Sequence, residues 1–379
     1  MSAADGQSGQ RERFHGLDLL RTLAIASVLV WHLPRGVYPF DFKPATWAGV
    51  DLFFVLSGFL IGSQLLRPYV RGLRPSYADF ALRRAYRILP AYFAVVAAYF
   101  LVPQFREEAA IQPFWRFLTF TMNFGLDAGA SGAFSHAWSL CVEEHFYLVL
   151  PVIVLWFMRR PSLARACKVS AAIVFGGLVL RGVLWVHFVG PMRETGWPGL
   201  IYLREIYYPT YNRLDGLLAG VLLAAIRIFK PAIWARFTNK GNVALCLGVA
   251  VLAAALWICQ DMTSLWTATI GYPLLALGFA LLVVASMSVS SMIGKYRVPG
   301  TTLGATLAFG TYLTHKEVMH LDRLYLSGCV SLAGCQGLVV YLASFLLVAG
   351  ALHVAVERPF LRLRDRLLGT TLRTLPHKF

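Results

Sequence analysis

The stretch "RTLAIASVLVWH" (21–32) places a guanidinium and an imidazole at the two ends of a segment with no formal charge between them. On an α-helix the step from Arg21 to His32 closes to within about 20° of three full turns. Both side chains therefore share one face, roughly 16 Å apart along the axis. Asp18 lies about one turn before Arg21 on the same surface. Ionisable groups at depth in a bilayer are costly and turn toward a bundle interior or a wet cavity. The stretch predicts a membrane-spanning helix that keeps one polar face inward.

The rest of the chain repeats the apolar part of that pattern. Of 379 residues, 58% are hydrophobic and 14% charged, against about 25% charged in an ordinary soluble domain. Apolar runs of about 20 residues recur from end to end, as in polytopic helical membrane proteins. The ~10-residue alternation of a lipid-facing β-barrel does not appear. The expected fold is an all-α bundle of about ten transmembrane helices. They fall near 17–33, 47–66, 88–103, 137–158, 168–188, 213–229, 242–259, 267–288, 301–319 and 336–356. Residues 1–366 form the membrane domain and 367–379 a basic cytoplasmic tail. No small-x-small site follows Leu33, so the first span reads as uncleaved. "FWRFLTFTMNF" (114–124) is too short to span and reads as an interfacial or re-entrant helix, or as a partly buried loop. "FLRLRDRLL" (360–368) reads as a topology anchor in preference to an amphipathic helix along the inner leaflet.

The net charge of +16 would suit a nucleic-acid partner, but its distribution points elsewhere. Ten spans put both termini on one side, and Arg11, Arg13, Arg67, Arg71, Arg74, Arg159, Arg160, Arg362 and Arg366 fall there with them. By the positive-inside rule that side is cytoplasmic, and the basicity is topological; no nucleic acid is expected. The six cysteines show neither a CxxC pair nor metal-ligand spacing, so no metal is expected. Cys141, Cys167, Cys246 and Cys259 read as small buried thiols. Cys329 and Cys335 share a predicted outer loop, where a disulfide is one option if that face is oxidising.

Two further constellations join Asp18, Arg21 and His32. "YADFALRRAYRILPAYF" carries Arg83, Arg84 and Arg87 at the mouth of the third span, with i,i+3 and i,i+4 spacings that bring three guanidiniums together. Guanidinium forks suit phosphate oxygens. "SHAWSLCVEEHFYLVLP" (135–151) buries two consecutive glutamates. Ser139, Glu143 and Tyr147 form one polar stripe at four-residue spacing, and Glu144 points about 100° away. Asp51, Arg213, Asp215, His315 and Glu357 are further intramembrane polar groups; Arg213 and Asp215 do not face each other on a helix and call for different partners. A P-loop, a GxSxG elbow, HExxH and GxGxxG are all missing, so nothing points to an ATPase, serine hydrolase, zinc enzyme or dinucleotide site.

Taken in order, "LDLLRTLAIASVLVWH", "GVDLFFVLSGFLIG", "RRAYRILPAYF", "WSLCVEEHFYLVLP", "NRLDGLLAG", "FGTYLTHKEV" and "VERPF" resemble the acyltransferase 3 family of multi-span membrane O-acyltransferases. Members act on O-antigen, exopolysaccharide, peptidoglycan, Nod factor or macrolide acceptors. The family's arginine–histidine pattern falls on Arg21 and His32, and its RxxR pattern on Arg84 and Arg87. Two positions depart from the family: His145 stands where glutamine is usual, and Lys316-Glu317 follow His315 in place of an aromatic or proline-rich turn.

The resemblance implies transfer of an acyl group, usually acetyl, from cytoplasmic acyl-CoA to an acceptor hydroxyl, in a bacterial inner membrane. Arg84 and Arg87, with Arg83 and Arg21, would hold the CoA phosphates. The pantetheine arm would follow the face shared by Arg21 and His32. His32 would act as general base, with a transient acyl-histidine as the competing version. Glu143 or Glu144 would orient or charge-balance His32 or an arginine. Supporting or substrate-facing places go to Asp18, Asp51, Ser57, Trp138, Ser139, Tyr147, Arg213, Asp215, His315 and Glu357. The acceptor is expected to be a cell-surface or lipid-linked glycan, with a small hydrophobic natural product as the alternative. A proton-coupled transporter or flippase would also bury carboxylates, histidine and arginine, and a non-catalytic scaffold would leave them an unexplained cost.

Overall fold

The structure, a computed structural model, describes residues 14–38, 46–196 and 198–374; Arg11 and Arg13 lie outside them. Long helices lie over every segment that the apolar runs mark: α1 (His15–His32), α2 (Gly49–Val70), α3 (Tyr77–Leu101), α4 (Trp138–Met158), α5 (Leu163–Leu184), α6 (Asp215–Phe229), α7 (Gly241–Ile258), α8 (Tyr272–Ser286), α9 (Thr301–Tyr325) and α10 (Gly334–Leu352). A last helix, α11 (Arg358–Thr374), carries the tail. Among the described residues no β-strand forms, and an isolated bridge joins Ile111 to Ala133.

Six helices among the described residues are long and apolar enough to cross a membrane, or seven if α6 and the short helix Pro231–Thr238, bent by 111°, form one span. The helices α1, α3 and α9 fall outside that set. They are also the helices that carry Asp18, Arg21 and His32, the arginine triplet, and His315-Lys316-Glu317. Those groups are what lowers their hydropathy. Three of them are turned fully inward: the side chain of Asp18 is 3% exposed, and His315 and Glu317 are fully buried.

Local chemistry sets the element ends. α3 begins well before the expected residue 88 because Ser76 caps it, its Oγ accepting from Asp79 N at 3.1 Å and satisfying an otherwise unpaired donor. That extra length puts the arginine triplet on formed helix. At the other end of the chain α10 passes through a π-helical segment, His353–Glu357, into α11. The stretch 360–368 lies within α11, which continues through residues 366 and 367 without a break. The segment 114–124 holds only a five-residue helix, Phe114–Leu118, pinned by the buried Phe117 ring against Phe100 and Phe134.

Two glycines let α2 and α6 touch backbone to backbone. A Cβ on Gly58 would overlap the Leu217 carbonyl oxygen, and one on Gly220 would overlap that of Val55. Small residues at such contacts are the usual means of close helix packing in a bilayer. Two buried ion pairs fasten the same region. Arg213 donates from Nη2 to Asp51 Oδ1 at 2.9 Å, and Arg181 donates from Nη1 to Asp215 Oδ2 at 2.9 Å and from Nη2 to Oδ1 at 3.3 Å. Arg213 and Asp215 therefore do serve different partners. The Arg213 guanidinium is also boxed by the rings of Tyr272 (4.1 Å), Tyr207 (4.5 Å) and Trp138 (5.4 Å).

The cysteine expectations need correction at Cys167 and Cys246. Cys141 and Cys259 are buried, but Cys167 and Cys246 are exposed on helix surfaces, and Cys329 and Cys335 are unbridged.

Candidate active site

Two of the cavities in the bundle lie along α1. The proximal cavity, about 700 Å³, lies beside the N-terminal half of α1 and is lined by Asp18, Arg21, Ser57, Arg84, Arg87, Ser139, Glu143 and Tyr147, with Leu361 and Arg364 from α11. The distal cavity, about 340 Å³, lies beside the C-terminal end of α1 and is lined by His32, Ser135, His136 and Lys316, with Trp31, Trp47, Trp138 and Tyr207. Val50 and Tyr312 line both. The face shared by Arg21 and His32, along which the donor arm was expected to run, thus borders two chambers that meet at Val50 and Tyr312. Tyr312 is held there by two hydrogen bonds. Its hydroxyl donates to the His136 carbonyl oxygen at 2.6 Å and accepts from Ser139 Oγ at 2.6 Å.

The proximal chamber is cationic. Arg84 and Arg87, three residues apart, both face it; Arg83 does not line it, so the triplet brings two guanidiniums there rather than three, beside Arg21 and Arg364. Arg21 donates from Nη1 to Asp18 Oδ1 at 3.0 Å. Arg87 Nη1 lies 3.7 Å from Glu357 Oε2, which also accepts from His353 Nδ1 at 3.0 Å. Glu357 thus aims an arginine into the chamber from the π-helical turn below it. Arg364 also faces the chamber, and α11 packs on α3 through Tyr86 and Phe360, whose ring centroids are 6.5 Å apart.

The polar stripe on α4 faces the same chamber. Tyr147 donates to Glu143 Oε2 at 2.7 Å and accepts from Ser57 Oγ, while the Arg84 guanidinium sits 5.7 Å from the Tyr147 ring centre. Glu143 therefore stands among arginines, in a different chamber from His32. Glu144 lines neither chamber, and its Oε1 is buried without a hydrogen-bond partner. Asp51, Arg213 and Asp215 also line neither; they are the clamps described above. Trp138 spans both roles, lining the distal chamber and covering Arg213.

His32 has company that spacing alone did not reveal. Its Nδ1 is 2.8 Å from the Val28 carbonyl oxygen and 3.3 Å from His315 Nε2. The ring centroids of His32 and His136 each lie 4.7 Å from that of His315. The Tyr312 ring centroid is 5.9 Å from that of His315 and 5.8 Å from that of His136. The wall between the chambers and the imidazole cluster are thus one place. His136 reaches it because Phe134, just before, takes a left-handed backbone (φ 57°) that turns the chain into the bundle, a conformation that a bulky residue holds only when its surroundings enforce it. Among the described residues no group of three or more histidine, cysteine, aspartate or glutamate side chains is disposed to hold a metal ion.

The family model described as an acyltransferase domain, acyltransferase 3, matches residues 14–354. The chain belongs to the acyltransferase 3 family. Similar family members include a protein of Bacillus subtilis named putative peptidoglycan O-acetyltransferase YrhL, 28% identical over 81% of this chain and 49% of its own length. O-acetyltransferase OatA of Staphylococcus aureus is 24% identical over 88% of this chain and 54% of its own. Peptidoglycan O-acetyltransferase OatA of Listeria monocytogenes is 29% identical over 57% and 34%. The chain spans about half the length of the first two relatives. No solved structure matches it.

Residues that the sequence reading did not single out also line the chambers: His136 and Lys316 the distal one, His353 and Arg364 the proximal one, and Tyr312 both. "SHAW" and the tail arginines were visible as letters. Their convergence depends on helix packing and on the turns at Phe134 and His353, which carry no signal in composition.

Proposed function

We propose that the protein is a membrane-embedded O-acyltransferase that moves an acyl group, acetyl first of all, from acyl-CoA in the proximal chamber to a hydroxyl of a glycan in the distal chamber. The observation that carries this reading is a cationic chamber and an imidazole-bearing chamber that share Val50 and Tyr312 in their linings. Guanidinium forks recognise phosphate oxygens bidentately, so Arg84, Arg87 and Arg21 would hold the CoA phosphates. The aromatic walls and few polar groups of the distal chamber suit an amphipathic ring with hydroxyls. All ten long helices cross the membrane in this reading, with α1, α3 and α9 shielded by the bundle. Both termini and the proximal chamber then face the cytoplasm, as the arginine asymmetry requires. In this reading the membrane is a bacterial inner membrane; the relatives named above are themselves bacterial.

In the reaction the acceptor hydroxyl gives its proton to His32 while its oxygen forms the new ester bond to the acyl carbon. The carbon–sulfur bond breaks, its electron pair leaves with sulfur, and the thiolate takes the proton that His32 accepted, which restores the neutral imidazole and releases CoA thiol. Tyr312 must move aside, or the thioester must press against it, for the acyl carbon to reach the acceptor. The test is transfer of radiolabelled acetyl from acetyl-CoA to peptidoglycan fragments by purified protein. Replacing His32 with alanine is expected to lower turnover by roughly 10²–10⁴-fold with acetyl-CoA binding retained. Undiminished turnover in a correctly inserted variant would remove the base assignment, and substrate flux without acyl transfer would favour a transporter.

A further inference from the structure

His315 has no role in the chemistry above, yet it is fully buried and touches the base. Its hydrogen bonds fix a direction. His315 Nδ1 is 2.8 Å from the Tyr312 carbonyl oxygen, which can only accept, so Nδ1 carries the His315 proton and Nε2 of that ring is an acceptor. The atom facing it, at 3.3 Å, is His32 Nδ1, which is also 2.8 Å from the Val28 carbonyl oxygen. With two acceptors around it, His32 Nδ1 must hold the proton of the neutral ring, and the lone pair then belongs to Nε2. His136 packs edge-on against His315 at 4.7 Å, and its own Nε2 is 3.3 Å from the Leu313 carbonyl oxygen and 3.9 Å from Glu317 Oε1. Lys316, the next residue, is drawn off to Ser135 Oγ at 3.1 Å and Glu107 at 3.7 Å.

We propose that His315 is the positioning residue for His32: it accepts from Nδ1–H, selects the tautomer whose Nε2 can take the acceptor's proton, and steadies the ring once that proton has arrived. The Tyr312 carbonyl supplies the reference on one side of the His315 ring. His136, braced by the Leu313 carbonyl, supplies packing on another. The same backbone that builds the wall between the chambers thus sets the protonation pattern of the base. This role rests on the acyl-transfer reading and adds to it a residue that acts through His32 rather than on substrate.

Three variants of His315 separate positioning from packing. Glutamine can place its amide oxygen near the position of Nε2, asparagine ends short of it, and leucine fills space without an acceptor. With radiolabelled acetyl-CoA and peptidoglycan fragments, His315→Leu and His315→Asn are expected to lose roughly 10²-fold in kcat with little change in the KM for acetyl-CoA. His315→Gln is expected to recover most of that loss. Equal activity of the glutamine and asparagine variants, or a leucine variant as fast as wild type, would overturn the assignment. Acetyl-CoA binding measured by calorimetry on each variant reports folding. If leucine abolishes binding, the glutamine–asparagine pair alone decides. Failure of the wild-type protein to transfer acetyl would count against the acyl-transfer reading itself, which is a different result from three equal variants.

Discussion

At the scale of single residues the account turns on Arg84 and Arg87. Their three-residue spacing made them legible in the sequence as one cationic face, and both line the proximal chamber. Arg83 was not separable from them by spacing, since it pairs with Arg87 at i,i+4. Only the actual rotation of α3 leaves it aside. The stripe of Ser139, Glu143 and Tyr147 was legible in the same way and lines that chamber intact. What spacing could not show was its partner: Glu143 meets Tyr147, Ser57 and the arginine face, not His32. A charge-assisted hydrogen bond is worth about 1.5–3 kcal/mol. Arg84→Gln and Arg87→Gln are each expected to raise the KM for acetyl-CoA roughly 10- to 100-fold with a smaller effect on kcat. Steady-state kinetics at saturating acceptor would show it, and an unchanged KM in both variants would remove the donor from this chamber.

At the scale of elements, α11 is where sequence and structure part. A basic amphipathic stretch after the last span looks the same whether it anchors topology or shapes a site. The structure continues α10 through the His353–Glu357 turn, lays α11 against α3, and brings Leu361 and Arg364 to the proximal chamber. Arg362, two residues before Arg364, is exposed. Because Arg364 also pairs with Asp365 at 2.7 Å, its contribution to an anion should be smaller than that of Arg84, in keeping with the modest worth of partly exposed charges. Arg364→Gln is expected to raise the KM for acetyl-CoA several-fold, to the extent of about 1 kcal/mol, while Arg362→Gln leaves it unchanged. Identical kinetics in the two variants would return α11 to the part of a simple anchor. The glycine contacts of α2 and α6 were likewise hidden, because "GVDLFFVLSGFLIG" reads as an apolar run until the facing backbone is known.

For the whole molecule, apolar length located the long helices, while charge asymmetry gave an expected sidedness. The division of the interior into two chambers was not legible. It depends on one tyrosine whose hydroxyl is claimed by Ser139 and the His136 backbone, residues some 170 positions away in the chain. It also depends on the left-handed turn at Phe134. These are long-range facts, and no local pattern encodes them. Under the proposed function they carry a specific expectation: donor and acceptor approach from opposite faces of the membrane and meet at Tyr312.

Vesicles holding the purified protein in one orientation test that claim most directly. Radiolabelled acetyl-CoA is supplied only on the face that carries Arg84 and Arg87, and peptidoglycan fragments are sealed on the other. The account predicts label on the enclosed glycan with the wild-type protein and none above background with His32→Ala. Label that appears only when donor and acceptor share a face would contradict it.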